Sequence, residues 1–455
     1  MNEKSLGQNK MGTAPMFPLI VSMALPAMFS MLVQALYNIV DSYFVAQYST
    51  EALAAVSLAF PIQNLIIAFS VGTSVGVSSL VSRKLGEGDR KSANTAADHG
   101  LILNMVTWLL FVVFGLVGCG AFYRLFESNT AIIEMGTSYL SIVSIFSFGI
   151  FIEICFEKIL QATGNMIWPM LIQLIGAVIN IILDPIMIFG GFGFPAMGVT
   201  GAAVATVVGQ IVAAIIAVVV MFTGKHEVQI SVKGFRFNWH TIKDIYAVGF
   251  PAIVMNAIGT VMTMAMNGIL ATFSAAAYTV FGIYFKVQSF VFMPIFGLSS
   301  GLMPIMGYNY GAQNKKRLLS CLRIGMTIAV VINILGTLAF MIFPRELLSI
   351  FNANQEIYDI GIPALRIISS AFVFAAVGIT CSTIFQAMGK GTYSLINSVM
   401  RQLALLVPLA FLLSKISLFA LWFAFPIAEV GSVIVTLILF ARLYRKQIKN
   451  LGQVQ

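Results

Sequence analysis

Long apolar stretches follow one another along the whole chain and are separated by short polar segments. Each holds roughly 20 or more residues, enough for a helix to cross about 30 Å of hydrocarbon. Lipid offers no partner to backbone polar groups, so the stretches are expected to be helices, and the alternation typical of a barrel is absent. The pattern predicts twelve transmembrane helices, at residues 17–44, 52–81, 97–122, 135–160, 166–190, 199–222, 241–271, 276–306, 319–343, 361–387, 393–414 and 417–441.

The composition agrees with this pattern. Of the 455 residues, 59% are hydrophobic and only 9% are charged, and the mean hydropathy is +0.94. A soluble protein of this composition could not cover its apolar side chains with polar surface. We therefore predict an all-α polytopic membrane protein.

The positions of lysine and arginine predict the orientation in the membrane. With the N-terminus inside, the inner segments hold twenty of the 26 lysines and arginines, whereas the outer loops hold Arg124, Arg345 and Lys415. We expect a multi-pass protein of the plasma membrane with both termini in the cytoplasm. The net charge of +9 is mostly this topology signal, so no nucleic-acid partner is expected.

Cysteine and histidine give no sign of a reactive centre. The four cysteines share no ligand or redox spacing, and the three histidines lie in or beside predicted cytoplasmic loops. We expect no enzyme activity, no catalytic residues, no cofactor and no haem or zinc site. The residues concerned are Cys119, Cys155, Cys321, Cys381, His99, His226 and His240.

The second half of the chain repeats the first at a constant offset of 225 residues. Residues 26–100 align with 251–325 without a gap, and the register continues as far as Gln161-Ala162-x-Gly164 and Gln386-Ala387-x-Gly389. An even number of helices per copy gives both copies the same orientation. The repeat predicts two six-helix bundles, residues 1–222 and 241–455, joined by a cytoplasmic linker at 223–240. We expect a pseudo-two-fold axis along the membrane normal and rocking of the bundles about a central cleft.

Paired glycines recur in the second helix of each copy. Gly72 and Gly76 form a G-x-x-x-G motif, and Gly297 and Gly301 repeat it. Small residues at this spacing let two helices approach closely, so the motif predicts helix packing, with a hinge as the alternative.

The copies differ in their acids. Asp41 and Asp184 of the first copy align with Met266 and Leu409 of the second. Counting 1.5 Å per residue along each helix places both aspartates, Asn180 and Thr206 at similar depth in the outer half of the membrane; Asp184 lies four residues from Asn180, on the same helix face. These side chains are predicted to form one oxygen-rich cluster.

Two carboxylates in one pocket of low dielectric constant do not both ionise readily, so one keeps its proton unless a cation lies between them. The pair is therefore predicted to be the coupling site of a proton- or sodium-driven carrier. A sodium ion would take Asp41, Asn180, Asp184 and Thr206 as ligands. The alternative is that Asp41 reaches the outer interface and that Asp184 is a turn acid before Pro185.

Other polar residues inside the membrane give weaker signals. Glu153 and Glu157 lie near the inner end of the fourth helix, where a solvated role is expected. Lys286, Arg401 and Glu429 are candidates for a charge network in the second bundle, with structural pairing as the first interpretation. Candidates for the wall of a substrate cavity are Gln34, Tyr37, Asn38, Gln210, Asn256 and Lys286.

The chain resembles the multidrug and toxin extrusion (MATE) transporters over its whole length. The resemblance rests on the two six-helix copies, on Leu25-Pro26 with its repeat Phe250-Pro251, on the Gln-Ala-x-Gly repeats, and on Asn180-Ile181-Ile182-Leu183-Asp184-Pro185. Acids in the first bundle are similar to the DinF-type branch, in which the aspartates of helices 1 and 5 form the coupling site. The chain has no acid in the interior of helix 10, which the NorM-type branch uses.

The resemblance implies a secondary antiporter that exports organic cations and drugs in exchange for protons or sodium ions. We expect a monomer whose partners are the substrate, the coupling ion and the lipid bilayer. A lipid-linked saccharide flippase of the same superfamily is the alternative, and it calls for a strongly cationic cavity. The interior offers only Lys286, Arg366 and Arg401 for that purpose.

Overall fold

The computed structural model describes residues 9–231, 235–351 and 353–452. The side chain of Asn38 lies outside this description, as do Lys4 and Lys233, two of the cations that we assigned to inner segments. Apart from loops and an isolated bridge between Gly191 and Phe194, the described residues form helices. The all-α fold class that the sequence predicts is confirmed.

Ten helices in the described ranges are long and apolar enough to cross a membrane, and the number is twelve if two bent helix pairs each form one span. Short helices at Lys10–Thr13, Cys119–Phe126 and Pro344–Ser349 accompany them. The spans are α1 (Met16–Tyr48), α2 (Thr50–Gly86), α3 (Arg90–Val117), α4a (Thr130–Ile145) with α4b (Phe148–Ala162), α5 (Ile167–Phe189), α6 (Val199–Thr223), α7 (Trp239–Ala271), α8 (Ala275–Gly311), α9 (Lys315–Ile342), α10a (Gln355–Ser369) with α10b (Phe372–Ala387), α11 (Gly391–Ser414) and α12 (Leu418–Ile448). Within α11 and α12, Met400–Leu406 and Tyr444–Ile448 are π-helical.

Equivalent helices of the two copies begin in the same way. The Ser49 hydroxyl accepts a hydrogen bond from the Ala52 backbone N–H at 2.9 Å, and Ser274 does the same for Ala277 at 3.1 Å. A serine cap satisfies one of the backbone donors that a helix leaves free at its first turn. The repeat therefore extends from the apolar pattern to the helix ends.

The fourth and tenth spans are bent, which the apolar pattern does not predict. The bend is 43° between α4a and α4b and 47° between α10a and α10b. Ser147 Oγ donates to the Ser144 carbonyl oxygen at 2.8 Å, and Ser370 Oγ donates to the Ile367 carbonyl oxygen at 2.6 Å. Serine hydroxyls that bond to nearby carbonyls compete with the helical ladder and bend it. The predicted continuous helices at 135–160 and 361–387 are therefore each two helices.

The chain divides into two compact units. The first unit comprises Phe29–Ile253. The second unit comprises the described residues up to Met28 together with those from Val254 onward. Both divisions fall within helices, close to Pro26 in α1 and Pro251 in α7. The units thus differ from the predicted division at 222 and 241, because each contains the first half of the other copy's first helix. The functional bundles 1–222 and 241–455 stay a prediction.

The paired glycines lie where these exchanged helix halves pack. In the first unit, a Cβ atom added to Gly76 would meet the Ile245 carbonyl oxygen and lie 3.0 Å from the Gly249 backbone nitrogen. In the second unit, a Cβ atom on Gly301 would lie 2.9 Å from the Ala24 backbone nitrogen. The close helix packing predicted from the G-x-x-x-G spacing is therefore present in both units.

The connection between the two halves is held against α3. The backbone N–H groups of Gln229 and Ser231 donate to Asn94 Oδ1 and Asp98 Oδ1, each at 2.9 Å. The Asn238 N–H donates to Nε2 of the buried His99 at 2.9 Å. The described parts of the predicted linker at 223–240 are thus bonded to the first unit.

Candidate functional site

The acids of the first copy lie inside the first unit, on helices that small residues bring together. A Cβ atom on Gly209 of α6 would lie 2.9 Å from the Gly176 carbonyl oxygen of α5 and 3.3 Å from the Asn180 Cβ. Glycine at these positions lets the two helices approach closely. Asn180, Asp184 and Thr206 are all buried at this contact.

Asn180 joins α5 to α6. With its amide nitrogen toward the acid, it donates to Asp184 Oδ2 at 3.1 Å, and its carbonyl oxygen accepts from the Thr206 backbone N–H at 3.1 Å. This orientation satisfies both ends of the amide group. The amide oxygen is therefore engaged with α6, while its N–H faces Asp184.

Asp41 of α1 completes the cluster. Its carboxyl group lies within interaction range of the carboxyl group of Asp184. Asp41 Oδ1 is enclosed without a hydrogen-bond partner in the described part of the chain. Two carboxylates this close do not both ionise readily, so the pair is suited to hold one proton or a cation. The structure thus brings Asp41, Asn180, Asp184 and Thr206 together in one oxygen-rich cluster.

Two tyrosines stand beside the acid pair. The Tyr37 hydroxyl lies within electrostatic range of Asp41, Asp184 and Glu153. Tyr139 of α4a is also within range of both aspartates, and its hydroxyl accepts a hydrogen bond from Gln63 Nε2 at 2.9 Å. Tyr37 was among the predicted cavity residues, whereas Tyr139 was missed.

The repeat indicates a role for Gln63, whereas no pattern indicates one for Tyr139. Gln63 aligns with Gln288 in the repeat, and a polar residue kept at one position of both copies within a membrane helix points to a role. Tyr139 is one aromatic residue among many along apolar helices, and its position depends on the bend that follows α4a.

Glu153 and Glu157 correct the sequence-based interpretation. Both lie on α4b and are only 9% and 7% exposed, so the expected solvated position is wrong. Depth was counted along a straight helix, whereas the bend before Phe148 changes the direction in which α4b runs. Glu157 Oε1 has no hydrogen-bond partner in the described ranges.

The remaining cavity candidates divide between the units. Gln34 and Gln210 are half-buried in the first unit, and Gln210 Oε1 has no hydrogen-bond partner there. Asn256 and Lys286 are exposed in the second unit. The structure therefore does not place those two residues in the cluster of acids, and the side chain of Asn38 lies outside the described part.

The predicted charge network of the second unit is smaller than expected. Arg401 Nη1 lies 3.6 Å from Glu429 Oε1, which agrees with structural pairing. Lys286 does not join them: its Nζ lies over the Phe351 ring, 5.8 Å from the ring centroid. The second unit thus holds an ion pair, and Met266 and Leu409 replace the aspartates of the first.

Comparison with known proteins gives matches over both halves. A sequence model of the family described as MatE matches residues 26–186 and 251–412. The probable multidrug resistance protein NorM of Thermotoga maritima is 28% identical over 397 residues, which cover 87% of this chain and 85% of the relative. A FAD transporter of Shewanella oneidensis is 26% identical over 408 residues, 89% of each chain.

Solved structures agree with these matches. One described as the outward-facing conformation of a multidrug resistance MATE family transporter has a TM-score of 0.91 and 27% identity, over 99% of this chain and 100% of its own. The family match lies on both copies of the repeat, at the same offset that the sequence shows. The chain is therefore a transporter and not an enzyme, and it belongs to the multidrug and toxin extrusion (MATE) family.

Proposed function

We propose that the protein is a secondary antiporter that exports organic cations and drugs in exchange for protons, with coupling at Asp41 and Asp184. The observation that carries this proposal is the close approach of the two enclosed carboxyl groups in one cluster. Because two carboxylates this close do not both ionise readily, the pair is suited to bind and release one proton. Loss of the proton leaves two negative charges side by side, which favours a cationic substrate or a change of conformation.

Sodium is the alternative coupling ion. Sodium coordination by Asp41, Asn180, Asp184 and Thr206 would use the Asn180 amide oxygen, since hard cations take oxygen ligands. That oxygen accepts one hydrogen bond, from the Thr206 backbone N–H, and keeps a second lone pair. The transport experiment with separate pH and sodium gradients distinguishes the two ions.

The cations of the second unit support the antiporter over the lipid-linked saccharide flippase. Arg401 faces Glu429, Lys286 lies over Phe351, and Arg366 Nε donates to the Met341 carbonyl oxygen at 3.1 Å. A site for pyrophosphate needs several cations directed to one place. The three interior cations that the sequence offered are instead engaged at three separate places.

Further parts of the proposal rest on the sequence. We assign both termini to the cytoplasm and the protein to the plasma membrane because the inner segments hold most of the lysine and arginine. Gln34, Tyr37 and Gln210 are proposed as substrate contacts of the first unit. The monomeric state and the rocking of the bundles stay predictions.

Transport in membrane vesicles tests the proposal. A pH gradient alone and a sodium gradient alone are imposed in turn, with ethidium as the cationic probe and FAD as the anionic one that the Shewanella relative suggests. We expect ethidium transport under the pH gradient, and its loss in Asp41→Asn and Asp184→Asn. The matched control is Asp359→Asn, which changes an exposed carboxylate of the second unit. Wild-type transport by both site variants would exclude coupling at these residues.

A further inference from the structure

Glu153 and Glu157 are a second pair of buried acids that the coupling site does not use. They lie one turn apart on α4b, and more than nine-tenths of each side chain is buried. Neither takes part in an ion pair within 4.0 Å in the described part of the chain. A buried carboxyl group without a partner is unfavourable, particularly inside a membrane, so the pair needs an explanation.

The second copy shows that packing does not require acids here. Gly378 and Ser382 occupy the positions of Glu153 and Glu157 in the repeat. In the second unit, Asn397 Nδ2 donates to Ser382 Oγ at 3.1 Å and to the Gly378 carbonyl oxygen at 3.4 Å. The same position in the fold is thus filled by small neutral residues whose hydrogen bonds are satisfied.

The first copy has the opposite character. Glu157 Oε1 is buried without a hydrogen-bond partner in the described ranges. Lys158, the neighbouring charge, directs its Nζ to Gln161 Oε1 at 2.9 Å rather than to the glutamate. Glu157, which is equivalent to Ser382, therefore has a carboxyl oxygen without a hydrogen-bond partner in the described ranges, and that oxygen can take up a proton.

Tyr37 lies near both acid pairs. It is one helical turn from Asp41 on α1, and its hydroxyl lies within electrostatic range of Asp184 and Glu153. The Glu157 carboxyl group lies within electrostatic range of Glu153, and Lys158 lies within electrostatic range of Glu157.

Of the helices packed against α4b, α5 contributes Asp184 and α6 contributes no titratable group. On α3, Asp98 Oδ1 accepts from the Ser231 N–H, and the His99 ring is bonded to the Thr95 carbonyl oxygen and the Asn238 N–H. The charged groups of α2 lie in its first and last turns.

We propose that Glu153 and Glu157 form an inner proton-exchange site, which passes protons between the Asp41–Asp184 pair and the cytoplasmic end of α4b. In each transfer the Tyr37 hydroxyl gives its proton to the Glu153 carboxylate and regains one from the aspartate pair. The aspartate pair loses one O–H bond, Tyr37 loses one and regains one, and Glu153 gains one, so atoms and charge balance. Glu157 then takes the proton from Glu153. It lies one helical turn further along α4b, next to Lys158. The inference rests on the proposed proton coupling and adds the route.

Two transport modes separate this role from a structural one. Purified protein in vesicles is tested for ethidium transport driven by a pH gradient, and for exchange of ethidium at equal pH on both sides. A residue that only transfers protons is needed for the first mode and not for the second. We expect Glu153→Gln and Glu157→Gln to slow gradient-driven transport by about tenfold or more, while exchange stays within about twofold of wild type.

Matched variants complete the test. Glu153→Asp keeps a carboxyl group and is expected to recover most of the rate, and Glu134→Gln, an exposed glutamate of the same unit, leaves it unchanged. Gradient-driven transport at the wild-type rate in both glutamine variants would overturn the inference, as would equal loss of both transport modes.

An infrared titration distinguishes failure of this inference from failure of the proposed function. The C=O stretch of protonated carboxyl groups is followed over pH in the wild type, in Asp41→Asn/Asp184→Asn and in Glu153→Gln/Glu157→Gln. Each double variant is expected to lose a different part of the titrating band. If Glu153→Gln/Glu157→Gln leaves the band unchanged, the result contradicts the exchange site alone. If Asp41→Asn/Asp184→Asn leaves it unchanged, the result contradicts the coupling site.

Discussion

Asp41 on α1 and Asp184 on α5 bring their carboxyl groups within interaction range of each other inside one compact unit. The equivalent residues of the second copy are Met266 and Leu409, neither of which can carry a proton. A duplicated fold therefore holds its titrating pair in only one copy. The asymmetry extends to α4b, where two buried glutamates of the first copy align with Gly378 and Ser382 of the second.

Gly76→Ala is expected to destabilise the protein. Its Cβ atom would meet the Ile245 carbonyl oxygen, and backbone atoms of a packed helix cannot move aside without shifting α7. Overpacking of this kind costs about 1–3 kcal/mol. The measurement is the midpoint of thermal unfolding in detergent.

The matched control for this change is Gly282→Ala on α8, where an added Cβ atom meets no atom within 4 Å. We expect the control to keep the wild-type midpoint or to raise it slightly, since alanine favours a helix over glycine. Equal midpoints for Gly76→Ala and the wild type would show that α2 and α7 do not pack as closely as described.

Arg317→Lys is expected to loosen the segment before α1. Arg317 Nη2 donates to the carbonyl oxygens of Met11 and Ala14 at 3.0 and 2.8 Å, and its Nε donates to Asn309 Oδ1 at 3.2 Å. A lysine has one ammonium group and cannot reproduce this fork. Hydrogen exchange of the backbone amides at residues 11–14 should become faster. Arg323→Lys, which changes an exposed arginine of α9, serves as the control. Equal protection of these amides from exchange in both variants would show that the Arg317 hydrogen bonds do not hold the segment.

The Arg401–Glu429 pair is expected to contribute to stability rather than to coupling. The two side chains are 24% and 18% exposed, so removing one partner leaves the other charge largely enclosed. A double-mutant cycle with Arg401→Gln and Glu429→Gln should give a coupling energy of roughly 0.5–3 kcal/mol in unfolding. The ratio of protons to substrate should stay unchanged in all four proteins. Additive effects on stability, or a changed ratio, would argue against a purely structural pair.

Much of the architecture could be predicted from the sequence because hydrophobicity and repetition carry it. Apolar runs located the spans, and one offset aligned the glycines that pack at Ile245 and Ala24. The bends at Ser147 and Ser370 were not predictable in this way, since they arise from single hydroxyl bonds within apolar runs. The exchange of the first halves of α1 and α7 was also missed, because a repeat does not show which copy a helix packs against.

The candidate site was predicted in part for a similar reason. Helical spacing predicts which residues share one helix face and one depth, such as Asn180 and Asp184. The structure brings these two together with Asp41 and Thr206. The burial of Glu153 depends on the direction of α4b after its bend, which spacing does not contain. The tertiary geometry therefore adds a second acid pair to the one that the sequence indicates.

Proton movement measured directly in purified vesicles tests whether Asp184 couples proton transport to substrate transport. A pH-indicator dye is enclosed, sodium is left out, and ethidium is added outside to the wild type, Asp184→Asn and the control Asp359→Asn. We predict that the interior becomes more alkaline as ethidium enters the wild-type and control vesicles, and that Asp184→Asn abolishes this change. Vesicles of Asp184→Asn that exchange ethidium for protons in the wild-type ratio would contradict proton coupling at Asp184.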